Sequence, residues 1–141
     1  MSTIVYTTEA TATGGGRNHG RAVSADGALD VTLTVPKAMG GDGAPGTNPE
    51  QLFAAGYAVG FQGALGVVAR KEKADISGST VTAAVSIGKT EAGGFGLEVA
   101  ISASIPNLDA KTARSLVEKA HQVCPYSNAT RGNITVDLSV V

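Results

Sequence analysis

The 141-residue sequence predicts an α+β fold in which an antiparallel sheet packs on two helices. Two segments place apolar residues at helical spacing, 48–73 and 109–124, and the segments between and around them alternate apolar and polar residues with a period of two. The alternating segments are 29–35, 81–87, 95–105 and 134–140. A chain of this length buries one hydrophobic core, so we expect a single domain over residues 1–141.

The N-terminal third of the chain has the pattern of short strands. Residues 4–13 are rich in β-branched side chains and predict a strand, and 20–24 predict a second one. Asp26-Gly27 is a hairpin signal that leads into the alternating segment 29–35. Residues 37–47 have almost no periodicity, so we expect a long loop that carries the chain to another part of the molecule.

The central helix has a well-specified start and an unusual interior. Asn48 is a helix cap, Pro49 suits the first helical position, and Gln51 completes an Asn-x-x-Gln capping box. Each interior glycine costs about 1 kcal/mol relative to alanine. The four glycines are Gly56, Gly60, Gly63 and Gly66. Two explanations remain open, which are close packing against another helix and the loss of a side chain.

The C-terminal half predicts a hairpin, a helix and a last strand. The alternating segments 81–87 and 95–105 meet at a turn over 92–94, which predicts a long hairpin with one apolar face. Asp109 caps the second helix, whose apolar face extends to Cys124 before Pro125 stops it.

Composition narrows the classes of partner and compartment. The net charge is −1 and no basic run occurs, so nucleic acid and anionic membrane are not expected as partners. We expect no membrane span and no signal peptide, and therefore a cytoplasmic protein. Cys124 is the one cysteine, which excludes a disulfide within the chain. The scarcity of charged residues, 16%, suggests that part of the surface is buried in an oligomer.

Several motifs that could carry chemistry are poor matches. The segment 14–20 fits neither a dinucleotide fingerprint nor a Walker loop, so a hairpin turn is the better interpretation. His19 and His121 have no cysteine or carboxylate at ligand spacing, so we expect surface histidines and no metal. Ser115 and Ser127 lack a His-Asp pair, so a hydrolase triad is not supported.

Cys124 can be interpreted in two ways. On the apolar face of the second helix it is a small buried hydrophobic residue. A helix C-terminus disfavours a thiolate, so a nucleophilic role needs a nearby cation. Arg17 and Arg131 are the candidates.

Four motifs together resemble the organic hydroperoxide resistance proteins of the OsmC-like family. They are Cys-Pro-Tyr-Ser-Asn-Ala-Thr-Arg-Gly-Asn at 124–133, Gly-Thr-Asn-Pro-Glu-Gln-Leu-Phe-Ala-Ala-Gly-Tyr at 46–57, Thr-Gly-Gly-Gly-Arg at 13–17 and Gly-Gly-Phe-Gly-Leu at 93–97. The resemblance covers essentially the whole chain. It implies an intertwined homodimer with two sites where the subunits meet.

The resemblance also implies a thiol peroxidase site that acts on organic hydroperoxides. A cysteine of the central helix attacks the peroxide, an arginine holds its thiolate, and a glutamate orients the arginine. The arginine and the glutamate correspond to Arg17 and Glu50. The family also has a resolving cysteine, which forms a disulfide with the oxidised attacking cysteine, and this residue corresponds to Cys124. The resemblance implies no bound cofactor and an external dithiol reductant, such as a lipoylated protein. The attacking cysteine corresponds to position 60, where this chain has Gly60.

The glycine leaves the function open between several hypotheses. The chain is a peroxidase by descent whose activity is lost or weak, or Cys124 attacks peroxide itself and depends on an external thiol. Alternatively, it is an inactive paralogue that binds an apolar molecule in a dimer-interface pocket, or a dimer retained for structural reasons. The expected pocket residues are Phe53, Tyr57, Phe61 and Tyr126. Asn18-His19 departs from the Arg-Asp-Gly expected of the family, so Arg21 is a second candidate for the arginine.

Overall fold

The computed structural model of the protein describes residues 2–141. The chain divides into two compact units, one that ends at Leu52 and one over Phe53–Val141. The single domain over 1–141 stays a prediction. The elements are β1 Ala10–Thr13, β2 Arg21–Ser24, β3 Asp30–Thr32, α1 Pro49–Glu72, β4 Thr80–Lys89, β5 Phe95–Ser104, α2 Ala110–Val123, α3 Pro125–Thr130 and β6 Val136–Val140, with a 3₁₀ turn at Lys37–Met39. The α+β class is confirmed.

The first unit contains a three-stranded antiparallel sheet in the order β1-β2-β3. The predicted strand over 4–13 is too long, because β1 begins only at Ala10. Val5 and Tyr6 lie before it and are 95% and 77% exposed. β-branched residues favour a strand only where a neighbouring strand pairs with them, and β2 pairs with β1 only from Ala10 onward.

The loop after β3 does not leave this unit. Thr47 forms an isolated parallel bridge with Leu33. The N–H of Thr47 donates to the carbonyl of Thr32, and the N–H of Thr34 donates to the carbonyl of Thr47, both at 2.9 Å. The expectation that residues 37–47 carry the chain elsewhere is therefore wrong, since the loop ends beside the strand where it began.

Helix α1 starts as the capping residues predict, with one change. The N–H of Gln51 donates to Oδ1 of Asn48 at 2.8 Å. The side chain of Gln51 accepts a hydrogen bond from the hydroxyl of Thr47 at 2.6 Å, so the second bond of the predicted capping box is replaced by one to the preceding residue. By length and composition α1 could also cross a membrane, contrary to the expectation from the sequence, although the core helix of a soluble protein meets the same criterion.

The second unit contains a sheet in the order β4-β5-β6, whose last pair is parallel. The single antiparallel sheet of the prediction is thus replaced by two three-stranded sheets. The helices α2 and α3 connect β5 to β6, and a crossover of this kind returns a strand parallel to its neighbour. The hairpin of β4 and β5 pairs from Thr80 with Ser104 to Lys89 with Phe95, as predicted.

The core of this unit is built from one face each of α1, α2 and β5. Its fully buried members include Phe61, Leu65, Ile101 and Val117. Asp109 caps α2 as predicted, since its side chain accepts from the N–H of Thr112 at 2.7 Å. Pro125 does more than stop α2, because it is the first residue of the additional helix α3, a position at which its fixed φ is favourable.

Candidate active site

Arg17 and Glu50 form a two-pronged ion pair in the first unit. Nη1 and Nη2 of Arg17 donate to Oε2 and Oε1 of Glu50 at 2.7 and 2.8 Å. The side chains are 32% and 15% exposed, so the pair is partly shielded from water. A bidentate pair of this kind fixes the plane of the guanidinium group. Two residues that the resemblance assigns to one site are thus in contact.

The glycine-rich loop over 14–20 positions Arg17. Gly16 and His19 have φ values of 60° and 59°, in the left-handed region. The N–H of Gly20 donates to the carbonyl of Gly16 at 3.1 Å. A Cβ on Gly20 would lie 2.7 Å from the carbonyl oxygen of Thr13 and closer still to that of Gly16. The tight loop therefore requires glycine where its ends meet.

The charges of the pair stabilise each other. The hydrogen bonds from Arg17 lower the pKa of Glu50 below its usual range, against the opposing effect of burial. The same bonds raise the pKa of Arg17. Glu50 also lies in the first turn of α1, where the helix dipole favours a negative charge. Arg21, the second candidate for the arginine, instead pairs with Asp30 at 2.5 Å.

Gly60 faces the ring of Tyr126 in the second unit. A Cβ built on Gly60 would lie 2.5 Å from Cδ2 of Tyr126 and closer still to Cε2. Carbon atoms in contact stay about 3.5–4.0 Å apart. Gly60 is therefore unlike Gly56 and Gly63, whose added Cβ atoms would meet nothing within 4 Å. The ring of Tyr126 occupies the space that a side chain at position 60 would need.

Cys124 is fully buried and belongs to the core cluster. It is the residue between α2 and α3, and its N–H donates to the carbonyl of Ala120 at 2.8 Å. Arg131, one of the cations considered for it, donates instead to the carbonyl of His121 at 2.6 Å and to Oδ1 of Asn128 at 2.7 Å. The guanidinium of Arg131 is thus used to tie α3 to the end of α2.

A largely buried chain of hydrogen bonds links α1 to α3 and to the end of α2. The hydroxyl of Tyr57 lies 2.9 Å from Oγ of Ser127 and 3.2 Å from Oγ1 of Thr130. Oγ of Ser127 lies 2.8 Å from Nδ1 of His121. Thr130 donates to the carbonyl of Ser127 at 3.2 Å. One assignment satisfies all four contacts, in which His121 donates to Ser127, Ser127 to Tyr57, and Tyr57 to Thr130.

His121, expected at the surface, is only partly exposed, and its ring is hydrogen-bonded to Ser127. Burial lowers its pKa, and the nearby charge of Arg131 lowers it further. The sequence does not reveal this contact because α2 ends between His121 and Ser127, so no helical spacing relates them. The available signal was Ser127 and Thr130, which share one face at a spacing of three residues. The fully buried Ser127 is a structural link in the chain of hydrogen bonds.

An open groove of about 970 Å³ lies between α3 and the hairpin of β4 and β5. Phe53, Phe95, Tyr126 and Ile134 line it together with polar and charged residues that include Lys89 and Glu98. Tyr57 and Phe61 are instead fully buried in the core, with no solvent-accessible surface. The structure thus places two of the four expected pocket residues in the groove wall and two behind it, and a role for any of them in binding stays a prediction.

Within residues 2–141 no three side chains of the metal-binding types cluster closely enough to hold an ion. His19 is 56% exposed and lies 3.6 Å from Asp42, its nearest acidic partner. The expectation that the protein binds no metal stays a prediction.

Known proteins resemble this chain over its whole length. The OsmC-like protein family model matches residues 40–139. An organic hydroperoxide resistance protein of Xanthomonas axonopodis pv. citri is 52% identical over 138 residues, which is 97% of this chain and 95% of that protein. The crystal structure of an organic hydroperoxide resistance protein from Elizabethkingia anophelis, with thiocyanate bound, superposes with a TM-score of 0.93 at 51% identity and covers 99% of this chain and 98% of that one.

A third similar structure is that of OhrB of Bacillus subtilis, an organic hydroperoxide resistance protein. It superposes with a TM-score of 0.88 at 45% identity and covers 96% of this chain and 98% of that one. The fold and these similarities agree with the motifs of the sequence. The chain belongs to the OsmC-like protein family, and within it to the organic hydroperoxide resistance proteins.

Proposed function

We propose that this chain descends from thiol peroxidases that reduce organic hydroperoxides to alcohols, and that its own peroxidase activity is lost or weak. The observation that carries the proposal is Gly60, which has no side chain and whose Cβ space holds the ring of Tyr126. In the reaction, a thiolate attacks the peroxide oxygen, the O–O bond breaks, and the leaving alkoxide takes a proton to become the alcohol. The sulfur becomes a sulfenic acid. Glycine has no atom that can make this attack.

The remaining parts of the proposed site support descent from a peroxidase. The guanidinium of Arg17, held by Glu50, is suited to stabilise a thiolate and the developing alkoxide. Cys124 is the proposed resolving residue, which would condense with a sulfenic acid at position 60 to form a disulfide. An external dithiol, such as a lipoylated protein, would then reduce that disulfide. Cys124 is a poor substitute nucleophile, because it is fully buried.

In this proposal the protein forms a homodimer and is located in the cytoplasm. Support for association comes from large apolar side chains that the chain leaves on its surface. Val5 is 95% exposed, Ile4 and Tyr6 exceed 70%, and Val59 on α1 is 71% exposed. Such groups are typical of surfaces that a partner covers. Nucleic acid and membrane are not proposed as partners.

The test is a measurement of cumene hydroperoxide consumption with dihydrolipoamide as the reductant. We expect the natural chain to consume little or none, and Gly60→Cys to consume it rapidly. Gly63→Cys is the matched control, because it places a thiol one helical turn away on α1 where a side chain meets nothing within 4 Å. Rapid consumption by the natural chain that Cys124→Ser abolishes would contradict the proposal and make Cys124 the nucleophile.

A second candidate function is the binding of an apolar small molecule, which the groove favours. Its volume of about 970 Å³ is that of a site for a ligand of moderate size, and three aromatic rings, Phe53, Phe95 and Tyr126, line it. Native mass spectrometry of the protein with added decanoic acid tests this function. A bound mass that persists in the natural chain and falls when Phe53→Ala is introduced supports it. No bound mass in either protein counts against it.

A further inference from the structure

Gly60 and Tyr126 are in contact for a reason that lies in α3. The fully buried Ser127, which follows Tyr126, is bound through its hydroxyl to Tyr57 and His121. This bonding fixes the backbone of α3 next to α1. The ring of Tyr126 packs beside that of Tyr57, with centroids 5.8 Å apart at a tilt of 39°. With its backbone fixed, Tyr126 can move away from α1 only by rotating its side chain.

The ring of Tyr126 has α1 on one side and the groove on the other. Tyr126 is 39% exposed and is part of the groove wall. Its hydroxyl takes part in no hydrogen bond within the described residues, so packing alone holds the ring in place. A group that displaced the ring from the backbone of α1 would turn it toward the open groove.

We propose that Gly60 and Tyr126 together determine the capacity of the groove for an apolar ligand. Because Gly60 has no side chain, the ring of Tyr126 can pack directly against the backbone of α1 and so stays out of the groove. Any side chain at position 60 drives the ring into the groove and reduces the room for a ligand. In this proposal the two residues determine the specificity of the apolar-ligand binding described above as the second candidate function, so the part that concerns the ligand rests on that function. The steric coupling between the two residues holds with or without a ligand.

The steric coupling is tested by a double-mutant cycle on thermal stability. Alanine in place of an exposed helix glycine normally raises the melting temperature, and Gly63→Ala is the matched control that should do so. Gly60→Ala should instead lower it or leave it unchanged. In a Tyr126→Ala background, Gly60→Ala should raise it as Gly63→Ala does. An equal loss of stability from Gly60→Ala with and without Tyr126 would overturn the proposal.

The effect on the groove is tested with 1-anilinonaphthalene-8-sulfonate as the probe. We expect Gly60→Ala to bind it more weakly than the natural chain, Gly63→Ala to bind it equally well, and Gly60→Ala combined with Tyr126→Ala to regain binding. Equal affinity of the natural chain and Gly60→Ala would overturn the effect on the groove. If the natural chain does not bind the probe, the second candidate function fails, and the coupling is then decided by the melting temperatures alone.

Discussion

Tyr57 has no solvent-accessible surface, yet its hydroxyl is hydrogen-bonded on two sides. Burial of a hydroxyl without partners is costly, whereas a fully bonded one stabilises the fold. The partners are Ser127 and Thr130, both on α3. Helix α3 has only six residues, so its own backbone hydrogen bonds are few. These side-chain hydrogen bonds connect it to α1.

The removal of this hydroxyl is expected to destabilise the protein. Tyr57→Phe removes the acceptor of the buried Ser127 hydroxyl and the donor to Thr130, although Ser127 keeps His121 and Thr130 keeps the Ser127 carbonyl as partners. It should lower the free energy of unfolding by about 1–3 kcal/mol. Urea unfolding followed by circular dichroism measures this change. Tyr126→Phe is the control, because Tyr126 is 39% exposed and its hydroxyl takes part in no hydrogen bond within the described residues. Equal midpoints for the two variants would show that the bonds contribute nothing.

Glu50 is expected to make stability depend on pH. The hydrogen bonds from Arg17 hold the pKa of Glu50 in the folded protein below its pKa in the unfolded chain. The unfolded state therefore binds a proton more readily, so the contribution of Glu50 is complete above the unfolded pKa and is lost as the pH falls through the folded pKa. Glu50→Gln should reduce the loss of stability between neutral pH and the acid range.

Unfolding midpoints in urea, measured at steps of pH from 7 to 3, test this dependence on Glu50. Glu91→Gln is the control, since Glu91 lies in the exposed turn between β4 and β5. If the two variants follow the same curve as the natural chain, the ion pair with Arg17 has no influence on stability.

At the level of elements, periodicity correctly predicted the features that depend on local sequence. It failed where a strand forms only if another strand pairs with it. The alternation of β4 and β5 and the caps Asn48 and Asp109 are confirmed. Residues 4–9 have strand-forming side chains, but within residues 2–141 the structure assigns them to no strand. The parallel direction of β6 could not be predicted without α3, which depends on Pro125 acting as a first helical residue.

The site was predicted unevenly for the same reason. The family motifs, rather than any local pattern, led to Arg17 and Glu50, and their contact is present. The link between His121 and Ser127 depends on how two helices meet, which no spacing in the sequence encodes. The ring of Tyr126 fills the space beside Gly60, and this contact likewise depends on packing between residues 66 positions apart. The sequence could therefore identify the glycine but not its neighbour.

The glycines of α1 lead to a prediction at the same scale. Gly63 is exposed and an added Cβ would meet nothing within 4 Å. Gly63→Ala should therefore stabilise the protein by up to about 1 kcal/mol through helix propensity. Gly27→Ala is the contrasting variant, because a φ of 74° makes alanine unfavourable there. Thermal unfolding compares the two, and a loss of stability from Gly63→Ala would mean that another molecule packs against this face.

The chain leaves several large apolar side chains exposed on its surface, among them Val59 at 71%. A net charge of −1 provides little repulsion between copies, and the segment around Val5 combines exposed apolar side chains with a backbone that has no assigned strand. A strand-forming segment of this kind can be satisfied by pairing with another chain. We therefore expect association between two copies, with the segment before β1 as part of the contact.

Sedimentation equilibrium should give a mass of twice the 14.0 kDa of one chain. Val5→Asp should raise the dissociation constant of the dimer, because it would bury a charge at a position that is 95% exposed in the single chain. Thr3→Asp adds the same charge to the same exposed segment without the loss of an apolar side chain, and should have the smaller effect. A single-chain mass at micromolar concentration would reject the dimer. Equal dissociation constants for both variants would remove residue 5 from the contact, because charge alone would then account for the change.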